Sequence, residues 1–196
     1  YYIYMMCGIW ALFQKNKQLC GNFYGNFMNL KNRGPDRSVF HELSHPVNIK
    51  LGFHRLAIMD LSSKGDQPFK YDYDNRTVYL ICNGEIYNYK DLIVKYNLTS
   101  FSGSDCEIIM LLYQKFKNID LIVKELRGEY AFIICDIDNM TGDYEIFCVN
   151  DRFGIRPLFI FENDDIIIFS SELKGLPLNY DSKYDVQRFQ PRQYVT

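Results

Sequence analysis

The chain has 196 residues, 47% of them hydrophobic and 16% aromatic, which suffices for one large domain with a substantial core. Its formal net charge of −2 and pI of about 5.9 give no electrostatic basis for binding nucleic acid or an anionic membrane surface. The six cysteines contain no CxxC pair and form no cluster with the three histidines, so the sequence predicts no metal site.

The first fourteen residues carry no charge, but they are not typical of a targeting segment. They lack a basic n-region and a small-residue cleavage site, and the apolar run is too short to span a bilayer. The run Cys7–Phe13 is therefore predicted to be a buried strand. Scattered thiols inside apolar runs favour reduced cysteines and a cytoplasmic protein.

Cys7 stands at the head of this strand, and two interpretations of it are open at this point. Free cysteine is among the most buried residue types, so a small structural cysteine is the commoner case. Alternatively, Cys7 is a nucleophile that becomes the first residue once residues 1–6 are removed. Its α-amine, with a pKa of about 7.7–8, would then be a suitable general base for the thiol proton.

A short helix and two strands are predicted next. Apolar residues at helical spacing predict a helix over Asn22–Asn32, and Arg33-Gly34-Pro35-Asp36 then predicts a turn. The segments Val39–Leu43 and Lys50–Ile58 are predicted to be strands.

Arg55 lies among apolar residues near the end of the second of these strands. A buried arginine needs an anionic partner, and its planar guanidinium group suits a carboxylate. That partner is either a nearby acidic side chain or a substrate. From this segment alone the structural ion pair is favoured by about two to one.

The apolar strand Val78–Cys82 leads into Asn83-Gly84. An Asn-Gly pair after a strand indicates a hairpin turn. A predicted helix over Asn88–Tyr96, in place of an immediate return strand, weakens that interpretation. The functional alternative is an oxyanion hole, built from the Asn83 amide and the Gly84 backbone N–H.

A longer helix is predicted to open near Ser104, which would be its N-cap with Glu107 completing a capping box. Asp105 would lie in the first turn of this helix. There it would either complement the helix dipole or bind a substrate ammonium group.

The remaining chain is predicted to be mainly strands, at Tyr130–Asp136, Glu145–Asn150, Pro157–Glu162 and Ile166–Ser170. A short helix after Ser170 and a polar tail from Asn179 complete the chain. About ten strands in two runs, with a few helices, predict an α+β fold in which two antiparallel sheets pack together under outer helices.

Six motifs resemble, in their order and spacing, those of class II glutamine amidotransferase domains, in the variant of glutamine-hydrolysing asparagine synthetase. They are Cys7-Gly8-Ile9, Arg33-Gly34-Pro35-Asp36, His54-Arg55-Leu56-Ala57-Ile58, Asn83-Gly84-Glu85-Ile86-Tyr87-Asn88, Gly103-Ser104-Asp105 and Ser170-Ser171-Glu172-Leu173-Lys174. The resemblance implies a four-layer αββα sandwich of the N-terminal-nucleophile hydrolase type over residues 7–196.

The resemblance also implies a role for each site residue. Cys7 would attack the side-chain amide of glutamine, and Asn83 and Gly84 would hold the oxyanion. Arg55 would bind the α-carboxylate, and Asp105, assisted by Glu85, the α-ammonium group. The pocket would be lined by Leu56, Ala57, Ile58 and Met59.

In that family a second domain binds ATP and Mg²⁺ and uses the ammonia, so no cofactor is expected in this domain. The implied partners are glutamine and a synthetase domain, in cis or as a separate subunit, with no nucleic acid or membrane; a homodimer is left open. Two alternatives remain: a catalytically silent glutamine- or partner-binding module, and a hydrolase that acts on another amide.

Overall fold

The computed structural model describes residues 6–15, 22–44, 47–177, 186–191 and 194–195. Residues 1–5 of the segment predicted to be removed, and residues 178–185 in the polar tail, lie outside this range. The strands described are β1 (Gly8–Gln14), β2 (Arg37–Leu43), β3 (Ile49–Arg55), β4 (Phe69–Tyr73), β5 (Arg76–Ile86), β6 (Gly128–Asp138), β7 (Tyr144–Asn150), β8 (Phe159–Glu162), β9 (Ile166–Ser170), β10 (Val186–Arg188) and β11 (Tyr194–Val195). The α-helices described are α1 (Tyr24–Met28), α2 (Tyr89–Tyr96), α3 (Glu107–Phe116) and α4 (Ile119–Glu125), and short 3-10 turns cover Lys31–Arg33, Ser63–Gly65 and Leu173–Gly175.

The strands form two sheets in which every described pair is antiparallel. The first sheet has the order β10-β8-β9-β1-β3-β2, and the second has the order β11-β7-β6-β5-β4. Long registers hold the centre of each sheet: β1 pairs with β3 from Gly8 opposite His54, and β5 pairs with β6 along eleven residues. Four residues predicted to form the site, Arg55, Asn83, Gly84 and Glu85, lie on these central strands, and Cys7 immediately precedes β1.

The alternation of side chains along each strand divides the core into layers. On β1, Ile9, Ala11 and Phe13 face the second sheet, while Trp10 and Leu12 face α1 on the outside. Because both faces are covered, every residue of β1 is buried. The outer face of the second sheet packs against α2, α3 and α4. The predicted four-layer αββα sandwich is therefore confirmed.

Several predicted boundaries were wrong. The first helix is shorter than Asn22–Asn32, and β3 ends at Arg55, so Leu56–Ile58 form a loop. β5 does not stop at Cys82 but continues as a strand through Asn83 and Gly84, which excludes a hairpin turn there. Strands β4, β10 and β11 and helix α4 were not predicted.

The predicted capping box before α3 was also wrong. The helix begins at Glu107, with Cys106 and not Ser104 at the N-cap position. The Glu107 carboxylate instead accepts hydrogen bonds from the backbone N–H groups of Phe101 and Ser102, at 2.9 and 2.8 Å. This acceptor closes the loop before the helix, which holds Asp105 just outside its first turn. Within the described ranges, no helix has the length and apolar character needed to cross a membrane.

Candidate active site

A cavity of about 580 Å³ opens at the end of the sandwich where β1 and β6 begin and β3 and β5 end. Nine of the predicted site residues line it: Cys7, Arg55, Leu56, Ile58, Met59, Asn83, Gly84, Glu85 and Asp105. Ala57 does not line the cavity; its N–H instead donates to the Asp36 carboxylate at 2.8 Å. The predicted residues therefore come together from both sheets, although they are spread over about half of the chain.

The Cys7 thiol is partly buried beside the loop after β3. Its Sγ lies 3.6 Å from the Leu56 carbonyl oxygen, and the Leu56 N–H donates to Sγ at 3.4 Å. Burial raises the pKa of the thiol, while the Leu56 N–H and the charges of Arg55 and Arg156 act in the opposite direction. A thiol with a raised pKa is protonated at neutral pH, so a reaction at Cys7 needs a base.

The Arg33–Asp36 motif, predicted to be a turn, makes hydrogen bonds to two parts of the cavity wall. Arg33 is buried, and its guanidinium donates to the Cys7 carbonyl at 2.9 Å and to Glu172 at 3.0 Å. The Asp36 carboxylate holds the Ala57 N–H, and its own N–H donates to the Arg55 carbonyl at 3.1 Å. One short segment therefore fixes both the main chain of Cys7 and the loop that contacts its thiol.

Asn83 is buried, with 1% of its surface exposed, on the face of β5 that looks toward the first sheet. Its Nδ2 atom has no hydrogen-bond partner within the part of the chain that the structure describes. A buried amide without an acceptor costs about 1–3 kcal/mol. Such a cost is expected where a donor is kept free for a ligand, and Asn83 opens onto the same cavity as Cys7.

The Gly84 N–H points to the same open region. Tyr130, opposite Gly84 in the ladder, directs its own N–H and C=O to Asp151, at 3.2 and 2.8 Å. Gly84 is therefore in a non-hydrogen-bonded pair, and its N–H points away from β6. The N–H groups two residues away on the same edge, of Cys82 and Ile86, donate to Gln67 and Asp105 at 2.5 Å each.

Gly84 is also fixed by packing against β6. A Cβ at this position would lie 2.6 Å from the Glu129 carbonyl oxygen and 2.6 Å from the Tyr130 Cβ. Only glycine allows β5 and β6 to approach this closely.

Arg55 makes the ion pair that the sequence favoured from its segment alone. Its Nη1 donates to Asp66 at 2.7 Å and to the Ser62 carbonyl at 2.6 Å, and its Nη2 donates to the Asp60 carbonyl. Arg37 also pairs with Asp66, at 2.9 Å. One carboxylate is therefore shared by two guanidinium groups, and the Asp60 carboxylate also lies near Arg55 at this corner of the cavity.

A buried carboxylate lies on the side of the cavity formed by β5 and the loop before α3. Asp105 is buried, and its carboxylate accepts the Ile86 N–H at 2.5 Å. Burial raises the pKa of Asp105, and the nearby Glu85 carboxylate adds to that effect. A cationic ligand would offset both the burial of the Asp105 carboxylate and its repulsion by Glu85. Asp105 and the exposed Glu85 therefore form an acidic wall suited to an ammonium group.

Asp60 connects the two loops that rim the cavity. Its carboxylate accepts the Gly103 N–H and the Ser62 N–H, at 2.8 Å each. These hydrogen bonds lower the pKa of Asp60, and the bond from Gly103 has the largest effect. Sequence reasoning missed Asp60, because one acidic residue in a polar loop carries no distinguishing pattern.

Sequence reasoning also missed Arg156, Glu129 and Met6, which line the cavity. Arg156, predicted only as part of a polar turn, pairs with Glu129 at 2.5 Å on the cavity wall. Met6 also lines the cavity, and its Sδ contacts Arg156 Nη1. The charged pair joins residues 27 positions apart, so only the β6 register and the loop after β7 bring them together.

Gly65 offers a test of the Arg55 position. A Cβ at residue 65 would lie 2.5 Å from Arg55 Nη2, so Gly65→Ala must displace the guanidinium group. If Arg55 binds the substrate, we expect the KM for that substrate to rise about tenfold, with kcat changed less. The matched control is Gly25→Ala in α1, where a Cβ would meet nothing within 4 Å. A Gly65→Ala protein with unchanged KM would contradict this role.

Comparison with known proteins agrees with this geometry. The model of the glutamine amidotransferase domain family matches residues 6–196. A protein of Acanthamoeba polyphaga mimivirus named "Probable asparagine synthetase (glutamine-hydrolyzing)" is 39% identical over 199 residues, covering 97% of this chain and 34% of that protein. The asparagine synthetase (glutamine-hydrolyzing) of Mesocricetus auratus is 38% identical over 175 residues, covering 87% of this chain and 29% of that protein.

The chain thus spans about a third of the length of these curated relatives. Among solved structures, a glutamine phosphoribosylpyrophosphate amidotransferase from B. subtilis superimposes with a TM-score of 0.66 at 19% identity, covering 86% of this chain and 42% of that one. That likeness supports the fold, and the family match covers nearly the whole sequence. The chain therefore belongs to the glutamine amidotransferase domain family, as its six motifs predicted.

Proposed function

We propose that this domain hydrolyses glutamine to glutamate and ammonia through a thioester on Cys7, acting as an N-terminal nucleophile. The observation that carries the proposal is the Asn83 amide. It is a buried donor without an acceptor among the described residues, and it opens onto the cavity that holds the Cys7 thiol. With the Gly84 N–H it forms a pair of donors suited to an oxyanion.

The charges of the cavity fit a free α-amino acid. The α-carboxylate would bind the Arg55 guanidinium group, which is held in place by its ion pair with Asp66. The α-ammonium group would bind Asp105, with Glu85 assisting. The path of the glutamine side chain would be lined by Leu56, Ile58 and Met59. Ala57 would act only through its hydrogen bond to Asp36.

The chemistry requires the α-amine of Cys7. In its neutral form the amine takes the thiol proton, and the thiolate attacks the side-chain carbonyl carbon, whose π electrons move to oxygen. The oxyanion is held by Asn83 and Gly84. The ammonium group then returns the proton to the departing nitrogen, ammonia leaves, and a glutamyl thioester remains. Water attacks this thioester with the amine again as base, which releases glutamate and the thiol.

For this mechanism Cys7 must be the first residue. With Met6 in place, the nitrogen of Cys7 is a peptide amide and cannot act as a base. Met6 also contributes to the cavity wall and donates its N–H to the Arg33 carbonyl at 3.1 Å. The proposal therefore includes removal of residues 1–6.

We further propose that the ammonia serves ATP-dependent synthesis of asparagine from aspartate, in a synthetase domain in cis or as a separate subunit. This part rests on the names of the relatives, of which the chain matches about a third. ATP and Mg²⁺ would be needed only by that domain. We propose a cytoplasmic setting, because the cysteines that the structure describes are free thiols.

Glutamate release from glutamine by two forms of the protein tests the proposal: one beginning at Cys7 and one retaining residues 1–6. Activity is expected only in the form that begins at Cys7. Equal activity in both forms would exclude the α-amine as the base. Glutamine binding without turnover in both forms, with or without an added synthetase domain, would instead favour the silent binding module.

A further inference from the structure

Arg156 and Glu129 form a charged pair beside the proposed nucleophile. Arg156 Nη2 lies 2.5 Å from Glu129 Oε1, and both residues line the cavity. Arg156 Nε is buried and has no hydrogen-bond partner within the described part of the chain. Both residues are held in place. The backbone N–H of Arg156 donates to the buried Asp151 carboxylate at 3.2 Å, and Glu129 lies in β6.

Met6 links this pair to the reacting end of Cys7. Its Sδ contacts Arg156 Nη1, and its carbonyl carbon is bonded to the nitrogen that becomes the α-amino group. Removal of Met6 takes away the contact of Nη1 and leaves the guanidinium group in the same cavity as Cys7, where its charge also acts on the thiol. The fixed positive charge then faces a group that must lose its own positive charge to act.

We propose that the charges of the Arg156–Glu129 pair keep the α-amine of Cys7 in its neutral, proton-accepting form. This inference rests on the proposed function, because it concerns the same amine. The guanidinium charge disfavours the ammonium form, and the Glu129 carboxylate limits that effect. A general base works best when its pKa lies near the operating pH, so the balance between the two charges sets the useful range.

Other charges near Cys7 are largely committed elsewhere. The ionisable groups that face it from neighbouring elements are Arg33 after α1, Arg55 at the end of β3, Asp60 in the following loop, Cys82 and Glu85 on β5, and Asp105 and Cys106 before α3. Arg33 is paired with Glu172 and Arg55 with Asp66. Glu85 and Asp105 are assigned to the substrate ammonium group. The Arg156–Glu129 pair can therefore be altered without removing a proposed substrate contact.

The test is the pH dependence of kcat/KM for glutamine in protein that begins at Cys7. Its acid limb reports the pKa of the free enzyme's base. Glu129→Gln leaves the guanidinium unopposed and should move this limb to lower pH by about one unit. Arg156→Met leaves the carboxylate facing the amine and should move it to higher pH by about one unit. The double variant should move it to higher pH by less than Arg156→Met does, because the net effect of the pair is to favour the neutral amine.

The control is Glu125→Gln, which removes an exposed ion pair with Lys95 away from the cavity and should leave the limb unchanged. A second readout needs no turnover. In a Cys7→Ala background, the rate of acylation of the terminal amine by an amine-reactive reagent, followed by mass spectrometry against pH, should shift in the same opposite directions.

Two results would overturn the inference alone: acid limbs and amine reactivity that do not move, or that move the same way in both single variants. A fall in kcat without either shift would make the pair purely structural. If the parent protein that begins at Cys7 shows no cysteine-dependent glutamine hydrolysis, the proposed function fails, and this inference fails with it.

Discussion

Replacing Cys7 by alanine, in protein that begins at residue 7, is expected to lower glutamine turnover by a factor on the order of 10⁶, to the background rate. No other described group in the cavity offers a nucleophile in the same position, since Cys82 and Cys106 are buried beneath β5 and α3. A side-chain hydrogen bond with Cys82, together with burial, raises the pKa of Cys106 well above its ordinary value. Glutamine binding should persist, because Arg55 and Asp105 are untouched.

The measurement combines steady-state glutamate release with the equilibrium binding of glutamine to each protein. Cys148→Ala is the matched control, since this thiol is buried between the sheets and does not line the cavity. It should cost stability through a small void but leave turnover within a few-fold of the parent. Residual cysteine-independent turnover near the parent rate would exclude a thioester on Cys7.

Asn83→Ala is expected to lower kcat by about 10²–10³, with a smaller change in KM, because it removes a donor to the oxyanion. Its effect on stability separates this role from a structural one. The Nδ2 atom has no acceptor among the described residues, so its removal breaks no hydrogen bond and relieves a desolvation cost of about 1–3 kcal/mol. Stability should therefore hold or rise while catalysis falls.

Thr77→Ala on the same strand provides the contrast. The Thr77 hydroxyl donates to the Asp72 carboxylate at 2.7 Å, far along β5 from the cavity. This variant should lose about 1 kcal/mol of stability with kcat unchanged. Parallel measurements of kcat and of unfolding by urea distinguish the two cases. An Asn83→Ala protein that loses stability and keeps its kcat would assign the amide to the fold alone.

The fold was largely predictable because its central strands carry continuous apolar runs. β1, β6 and β9 were found within one or two residues of their true bounds. β4, with alternating tyrosines and charges, and the short α4 have weaker patterns, and the three residues of β10 all lie at the surface, so none of these elements was predicted. β5 was cut short because Asn-Gly is a turn signal; burial against β6 overrides that local preference.

The site was predictable only where a residue differed in polarity from its neighbours in the sequence. Arg55 and Asn83 are polar groups in apolar strands, and each turned out to line the cavity. The two interpretations of Arg55 proved compatible, since it pairs with Asp66 and still borders the cavity. Arg156, Glu129 and Asp60 have ordinary surroundings in sequence, so only the tertiary fold identifies them. The bracing role of Arg33 and Asp36 was hidden for the same reason.

The most direct test of the central claim is the mass of the protein during turnover. Protein that begins at Cys7 would be mixed with glutamine, quenched in acid within one turnover, and analysed intact and after digestion. We expect a fraction that carries one added glutamyl group on the peptide containing Cys7 and that is lost on treatment with hydroxylamine. Glutamate release without any such adduct, at Cys7 or elsewhere, would contradict the thioester mechanism.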